Sequence, residues 1–299
     1  MKEILYKDLI SLENLSLGLS RTKNNVSPGL DGEVKGDFTL EKLEKLHKEL
    51  ASQKYKPRPT KRTYITKPDG GQRPLGISSQ RDKVVQGAIL EKLEPVLEKV
   101  FLPISFGGRP NKNCHLALKE IKVHWKSIKW IISVDIRKYF DTINHEILLK
   151  QVGEYADQAT VELIGKLLKV GYVDIQYANA EEKSIEGTPQ GSLISPILAN
   201  LYLHTLDSHV MDTLIPKWNR GDRSLPAPGY NHRKDLTSTE KALVKEVDIP
   251  GTGEMISRLK HNNWIKTSGE SKDFDDPSFR RLHYVRYVDD FVLGFIGPK

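Results

Sequence analysis

Tyr287-Val288-Asp289-Asp290 lies between the apolar runs Leu282–Tyr287 and Phe291–Phe295, which predicts two adjacent carboxylates at the tight turn of a hairpin. Neighbouring carboxylates repel each other unless a cation holds them together. Upstream, Trp130-Ile131-Ile132-Ser133-Val134 predicts a buried strand that ends on Asp135, so three carboxylates can meet at one sheet edge. Mg²⁺ favours oxygen ligands, keeps several waters and is commonly shared with substrate phosphates, so it needs few protein ligands. Two such ions can activate an attacking hydroxyl and stabilise a leaving pyrophosphate, which makes nucleotidyl transfer the chemistry this donor set suits. The Asp-Asp dipeptide alone reads equally well as a polar turn.

The elements that would position these carboxylates can be read around them. Leu40, Leu43, Leu46 and Leu50 fall at helical spacing within a largely helical stretch over residues 1–56, after a loop at Pro28-Gly29-Leu30-Asp31-Gly32. Thr63–Thr66 and Gln72–Ile77 predict a hairpin across Lys67-Pro68-Asp69-Gly70-Gly71, with Lys67 and Arg73 on either side of its turn. Helices follow from Asp82 to about Val100, passing Pro95, and from Asn113 to Lys126, separated by a loop at Phe106–Pro110. A further helix starts near Asn144, and Tyr172–Tyr177 and Lys183–Ile185 are candidates to pair as short strands. Gly187-Thr188-Pro189-Gln190-Gly191 is a constrained loop, after which Ser195-Pro196 predicts the start of a helix reaching about Asp212, with Ser as N-cap. Residues 214–281 are rich in Gly, Pro, Asn and charge and read as a surface insertion.

With 38% hydrophobic residues over 299 positions, the chain can bury a substantial core. Its net charge of +7 and pI near 9.2 suit a polyanionic partner, because Lys and Arg displace counterions from a phosphate backbone. The single cysteine, Cys114, excludes an internal disulfide framework and a Cys-rich zinc site, and the nine histidines show no ligand spacing with it. No signal peptide or long uncharged apolar run is present, so no membrane partner is expected. A cytoplasmic, bacterial setting is expected, with an organelle as the alternative.

Taken in order, Ile132-Ser-Val-Asp-Ile-Arg-Lys-Tyr-Phe-Asp141, Gly187-Thr-Pro-Gln-Gly-Ser-Leu-Ile-Ser-Pro-Ile-Leu-Ala-Asn200 and Tyr284-Val-Arg-Tyr-Val-Asp-Asp-Phe291 resemble the reverse transcriptases encoded by group II introns, the intron maturases. Ile65–Gly76 and Ser105-Phe-Gly-Gly-Arg-Pro110 extend the resemblance, which runs from about Pro28 to the C-terminus. It implies an α/β (α+β) right-hand polymerase, with an antiparallel palm sheet flanked by helices. Residues 1–130 would be fingers with an N-terminal extension, and 131–299 palm including the insertion. Thumb, maturase and endonuclease domains are expected to be absent.

The resemblance also implies roles. Asp135, Asp289 and Asp290 would be catalytic, holding two Mg²⁺ ions. Lys67 and Arg73 would hold the triphosphate, Phe140 would be the steric gate against a ribose 2′-hydroxyl, and Gln190 would touch the nucleotide and template. Arg109, Arg81 and Lys83 are candidate contacts to the template backbone, fixing register without reading sequence. Val288 stands where many members carry Ala, a small apolar exchange. The implied partners are intron RNA as template, a DNA primer and deoxynucleoside triphosphates, and the oligomeric state, a homo-oligomer included, stays open. Three rivals also stay open: a splicing cofactor that grips intron RNA without polymerising, an RNA-dependent RNA polymerase, against which Phe140 speaks, and a metal-dependent nuclease.

Overall fold

The computed structural model describes residues 2–24, 26–66, 68, 70–174, 181–182, 187–189, 191–225, 273 and 276–298. Lys67, Gln190 and most of the expected insertion lie outside the described residues. The helices are α1 (Tyr6–Leu9), α2 (Leu12–Ser20), α3 (Leu40–Ala51), α4 (Gln80–Leu97), α5 (Cys114–His124), α6 (Tyr139–Thr142), α7 (His145–Tyr155), α8 (Gln158–Lys169), α9 (Ser195–His209) and α10 (Ile215–Trp218). The strands are β1 (Thr60–Thr66), β2 (Gln72–Ile77), β3 (Trp130–Asp135), β4 (Tyr172–Asp174), β5 (Glu181–Glu182), β6 (Arg281–Tyr287) and β7 (Asp290–Ile296). Helices and strands of both kinds place the chain in the α/β (α+β) class.

The chain divides into two compact units, each made of several chain segments. The first contains Met1–Ala117, Asp135–Ser208 and Arg286–Phe291. Its core gathers Leu15 of α2, Leu43, Leu46 and Leu50 of α3, Val84, Ile89 and Leu93 of α4, Leu148 of α7, Ile164 of α8 and Leu198 of α9. The leucine stripe of α3 therefore faces inward as its spacing predicts, apart from Leu40, which is exposed. Helix ends are closed by side chains: Ser79 caps α4 by accepting from the Asp82 N–H, Asn144 caps α7 and Asp157 caps α8. Helix α4 begins two residues before the expected start and runs through Pro95 to Leu97.

The predicted hairpin β1–β2 forms, with Ile65 opposite Arg73 and Thr66 opposite Gln72. It belongs to a mixed sheet of order β2-β1-β4-β5, in which β4 joins β1 in parallel and β5 joins β4 antiparallel. Arg62 stacks on the Tyr172 ring, 3.7 Å from its centroid, across the parallel pair.

The second unit contains Leu118–Val134, His209–Val285 and Val292–Lys299. Trp125 is buried there against Gly294 and tilts 5.6 Å from the His283 ring. Lys129 N–H donates to the Phe295 carbonyl, and the Trp130 indole N–H donates to the Gly297 carbonyl. Beside them, Arg220 and Arg280 exchange backbone hydrogen bonds. After α9 the helix widens into a π-turn at Val210–Leu214 before α10.

Strands β3, β7 and β6 form a three-stranded sheet in that order, with β6 and β7 joined by the two-residue turn Val288-Asp289. The expectation that Trp130–Val134 is a buried strand is corrected here. Among the described residues, strand β3 lies at the sheet edge, and Ile131 and Ile132 are 66% and 55% exposed. Among the described residues, no helix is long and apolar enough to cross a membrane.

Candidate active site

Asp289 and Asp290 sit where the hairpin reverses, Asp289 half-buried in the turn and Asp290 exposed at the start of β7. Asp135 is the exposed last residue of β3, the neighbour of β7. Burial pushes the Asp289 carboxyl above the usual carboxylate range, and the charges of Asp290 and Asp135 push the same way. A hydrogen bond from its own backbone N–H and the charge of Arg73 act against that shift. Asp135, Asp289, Asp290 and Arg73 thus form one electrostatic neighbourhood within the first unit.

Among the described residues, no group of three or more Asp, Glu, His and Cys side chains is drawn close enough to hold an ion by protein ligands alone. The trio is therefore not a closed coordination cage. Mg²⁺ is commonly held by one or two carboxylates with substrate phosphates completing its shell, a mode the open arrangement of hard oxygen donors fits. Asp289, whose ionised form is disfavoured by burial and by two like charges, is the carboxylate that a cation would relieve most directly.

Phe140 follows β3 across a sharp turn at Lys138, whose φ of 53° is left-handed, into the short helix α6. Its neighbour Tyr139 is buried and anchored, its hydroxyl donating to the Ala199 carbonyl of α9 over 2.6 Å. That leaves the Phe140 ring half-buried, 5.5 Å from the Tyr139 ring and at a steep angle to it. The Tyr139 hydroxyl is shifted up by burial, while Arg286 opposes the shift and Asp289 is among the acidic groups adding to it.

The loop before Gln190 is stitched to this corner. Thr188 N–H donates to the Phe140 carbonyl at 2.6 Å, and Gly187 N–H donates to the Ile143 carbonyl at 2.9 Å. The buried His145 ring nitrogen Nε2 lies 2.5 Å from the Gly187 carbonyl. Gly187 has a φ of 86°, and a Cβ there would meet the Phe140 and Asp141 carbonyls at 2.7 and 2.8 Å, so glycine is required on both counts. On the far side of Gln190, a Cβ on Gly191 would lie 2.7 Å from the Gly76 carbonyl of β2. The Phe140 corner, the loop that carries Gln190 and the hairpin that carries Arg73 are therefore in direct contact. Arg73 itself is exposed.

The three basic residues expected on the template are placed differently. The Arg109 side chain is only 5% exposed; its guanidinium forms a forked ion pair with Glu98 and donates to the Leu102 and Ser105 carbonyls. Its donors hold one loop together. Arg81 pairs with Glu49 and lies 4.0 Å from the buried Asp82, which also accepts from the Tyr55 hydroxyl and the Ser79 hydroxyl. Lys83 is half-buried, its ammonium pKa lowered by burial, with Nζ 3.4 Å from the Ser27 carbonyl beside the Pro28–Gly32 loop. Ser195 is the first residue of α9 and its hydroxyl donates to the Pro189 carbonyl, so it braces the Gln190 loop rather than acting as an N-cap.

Beneath the hairpin lies a buried set that the residue types alone did not single out. Arg286 of β6 is fully buried and makes five hydrogen bonds. Two go to the Asp207 carboxylate, at 2.8 and 2.6 Å, and one each to Asn200 Oδ1, Ser105 Oγ and the Val288 carbonyl. Asp207, Asn200 and Ser105 are themselves fully buried. Asn200 also donates to the Gly107 carbonyl, and the Ser105 loop exchanges backbone bonds with Arg286. A signal was present in the sequence: Asn200 and Asp207 are seven residues apart, which places both on one face of α9.

Paired aspartates on a hairpin, a third aspartate at the end of the neighbouring strand and a loop braced nearby accompany a family match: over residues 65–221 the chain matches the reverse transcriptase (RNA-dependent DNA polymerase) family, to which it belongs. Within that family its relatives are group II intron-encoded proteins. It is 34% identical over 303 residues to the group II intron-encoded protein LtrA of Lactococcus lactis, with 99% of this chain and 47% of LtrA covered. It is 32% identical over 303 residues to the COX1/OXI3 intron 1 protein of Saccharomyces cerevisiae, with 100% of this chain and 34% of that protein covered. Protein YkfC of Escherichia coli is 35% identical over 287 residues, with 93% and 66% covered. The chain thus spans about a third to a half of the first two relatives.

Proposed function

We propose that this chain is the RNA-directed DNA polymerase portion of a group II intron maturase, extending a DNA primer on intron RNA with deoxynucleoside triphosphates. The observation that carries the reading is the gathering of Asp135, Asp289, Asp290 and Arg73 into one electrostatic neighbourhood beside the Phe140 corner. In the reaction the primer 3′-oxygen forms a bond to the α-phosphorus as the bond to the β-phosphate oxygen breaks and pyrophosphate leaves. Asp135 and Asp289 would hold Mg²⁺ with Asp290 in support; two bound ions would supply activation of the attacking hydroxyl and charge stabilisation of the leaving group.

The chain's own groups act by position and charge. Arg73, on the exposed end of β2, offers a planar fork of donors to phosphate oxygens, and Lys67, six residues earlier in the sequence, would add a point charge. The half-buried Phe140 ring, fixed through Tyr139 and through the Thr188 bond to its carbonyl, would lie under the incoming sugar and exclude a 2′-hydroxyl by overlap. Gln190 would approach the base or sugar from the loop braced by Gly187 and Ser195. The net charge of +7 supports an RNA partner in general terms.

Primer extension on an RNA template with Mg²⁺ tests the reading, using this chain and a version carrying the C-terminal sequence of its longer relatives. Deoxynucleotide addition is expected, together with discrimination against ribonucleotides that falls at least about tenfold in Phe140→Ala, the loss expected when a pocket no longer excludes by shape. Equal use of both nucleotide types by the parent would overturn the choice of a DNA polymerase. Binding of intron RNA without extension by either version would leave a splicing cofactor.

A further inference from the structure

The turn that presents Asp289 is held in a conformation its sequence does not favour. Val288 has a φ of 60°, a left-handed value that a β-branched residue rarely adopts, and only the surrounding structure can keep it there. Three features converge on this residue. The Arg286 guanidinium donates to its carbonyl at 2.8 Å. Gly107 lies so close that a Cβ on it would meet the Val288 side chain and come 2.7 Å from the Val288 nitrogen. Behind both, Asn200 of α9 accepts from Arg286 and donates to the Gly107 carbonyl, tying the two restraints together.

We propose that Arg286 is a positioning residue for the metal-binding carboxylates: gripped by Asp207, Asn200 and Ser105, it fixes the Val288 carbonyl and so sets where Asp289 and Asp290 lie. The catalytic consequence rests on the polymerase reading; the geometry does not. A guanidinium has five N–H donors in a rigid fork, and here five bonds run to four residues on three segments, the Ser105 loop, α9 and the hairpin itself. Such a set has one low-energy arrangement, because moving the Val288 carbonyl would strand a charged donor away from water. An ion pair serving stability alone would need only the Asp207 fork. The additional bond to a strained turn residue two positions along the chain makes the network a clamp on the catalytic turn.

Arg286→Lys keeps the charge opposite Asp207 but cannot fill all four partners. It is expected to leave the nucleotide KM within about twofold, lower kcat about 100-fold as expected for a misplacement of about 1 Å, and raise the Mg²⁺ concentration for half-maximal rate several-fold. Gly107→Ala leaves the ion pair intact, presses on Val288 directly and should move the same quantities, which covers the case in which the lysine variant does not fold. Amide hydrogen exchange supplies a readout without catalysis: segment 284–292 should exchange faster in both variants while α2 and α4 keep their protection. Unchanged hairpin exchange with unchanged Mg²⁺ dependence would overturn the proposal, and so would exchange raised evenly across the fold, which would mark Arg286 as a stability residue only. A parent that fails to extend primers while the hairpin responds as described would sink the polymerase reading and leave the clamp standing.

Discussion

Asp289→Asn is expected to abolish nucleotide addition, by at least about 10³-fold, and at the same time to raise the melting temperature of the metal-free protein by about one or two degrees. Both effects have one source. The Asp289 carboxyl is disfavoured in its ionised form first by burial and then by Asp290 and Asp135, with its own N–H and Arg73 offsetting part of the shift. The folded state therefore binds a proton at Asp289 more readily than the unfolded chain does. Across the interval between the unfolded pKa and the raised folded pKa, stability falls as pH rises, and above the folded pKa the penalty is complete. Asparagine removes that penalty along with the metal ligand. Lowering the pH through this interval should close the gap between variant and parent, because protonation relieves the parent. Mg²⁺ should shrink or reverse it, since an ion that binds only the folded, ionised site stabilises the parent by mass action. Scanning calorimetry with and without Mg²⁺, beside primer extension, measures all of this. A parent that melts above the variant in the absence of metal would contradict the electrostatic account, and a variant of parental activity would remove Asp289 from the chemistry.

The parts of this site that were legible in the sequence are those set by local pattern. Two apolar runs around a two-residue turn define β6 and β7, and the leucine spacing of α3 defines its inward face, because each periodicity is fixed within a few residues. Exposure was not legible in the same way. A run such as Trp130–Val134 suits a strand whether it lies in the middle of a sheet or at its edge, and its place at the edge shows only when β3 is seen to pair, among the described residues, with β7. The basic residues show the same limit. Arg109 reads as a solvated or template-facing charge until Glu98, eleven residues earlier, is seen to receive it. Arg286 directly precedes Tyr287-Val288-Asp289-Asp290 yet faces the opposite side of the strand from Tyr287, where its partners come from positions 105, 200 and 207. The parallel pairing of β1 with β4 likewise joins segments more than a hundred residues apart. Long-range partners decide these features, and composition along the chain does not carry them.

Asp207→Leu should destabilise the fold by about 3–5 kcal/mol, lowering the melting temperature by on the order of 10 °C, because it leaves the Arg286 charge buried without its counterion. The larger lesson lies in the repaired pair. Asp207→Leu combined with Arg286→Met removes both charges and fills the space with apolar groups of similar size, a replacement that elsewhere is often neutral or stabilising. Most of the lost stability should therefore return, as urea denaturation would measure. Nucleotide addition should not return with it, staying down about 100-fold, since nothing in the repaired interior donates to the Val288 carbonyl and the left-handed turn is free to relax. Assaying both variants below their melting temperatures separates loss of fold from loss of geometry. If the double variant recovered activity in step with stability, the ion pair would be a replaceable piece of core and the strained turn would keep its shape unaided. If stability alone recovers, the buried charge is retained for where it holds Asp289 and Asp290, and its cost in desolvation is the consequence of fixing a carboxylate turn that would otherwise spring apart.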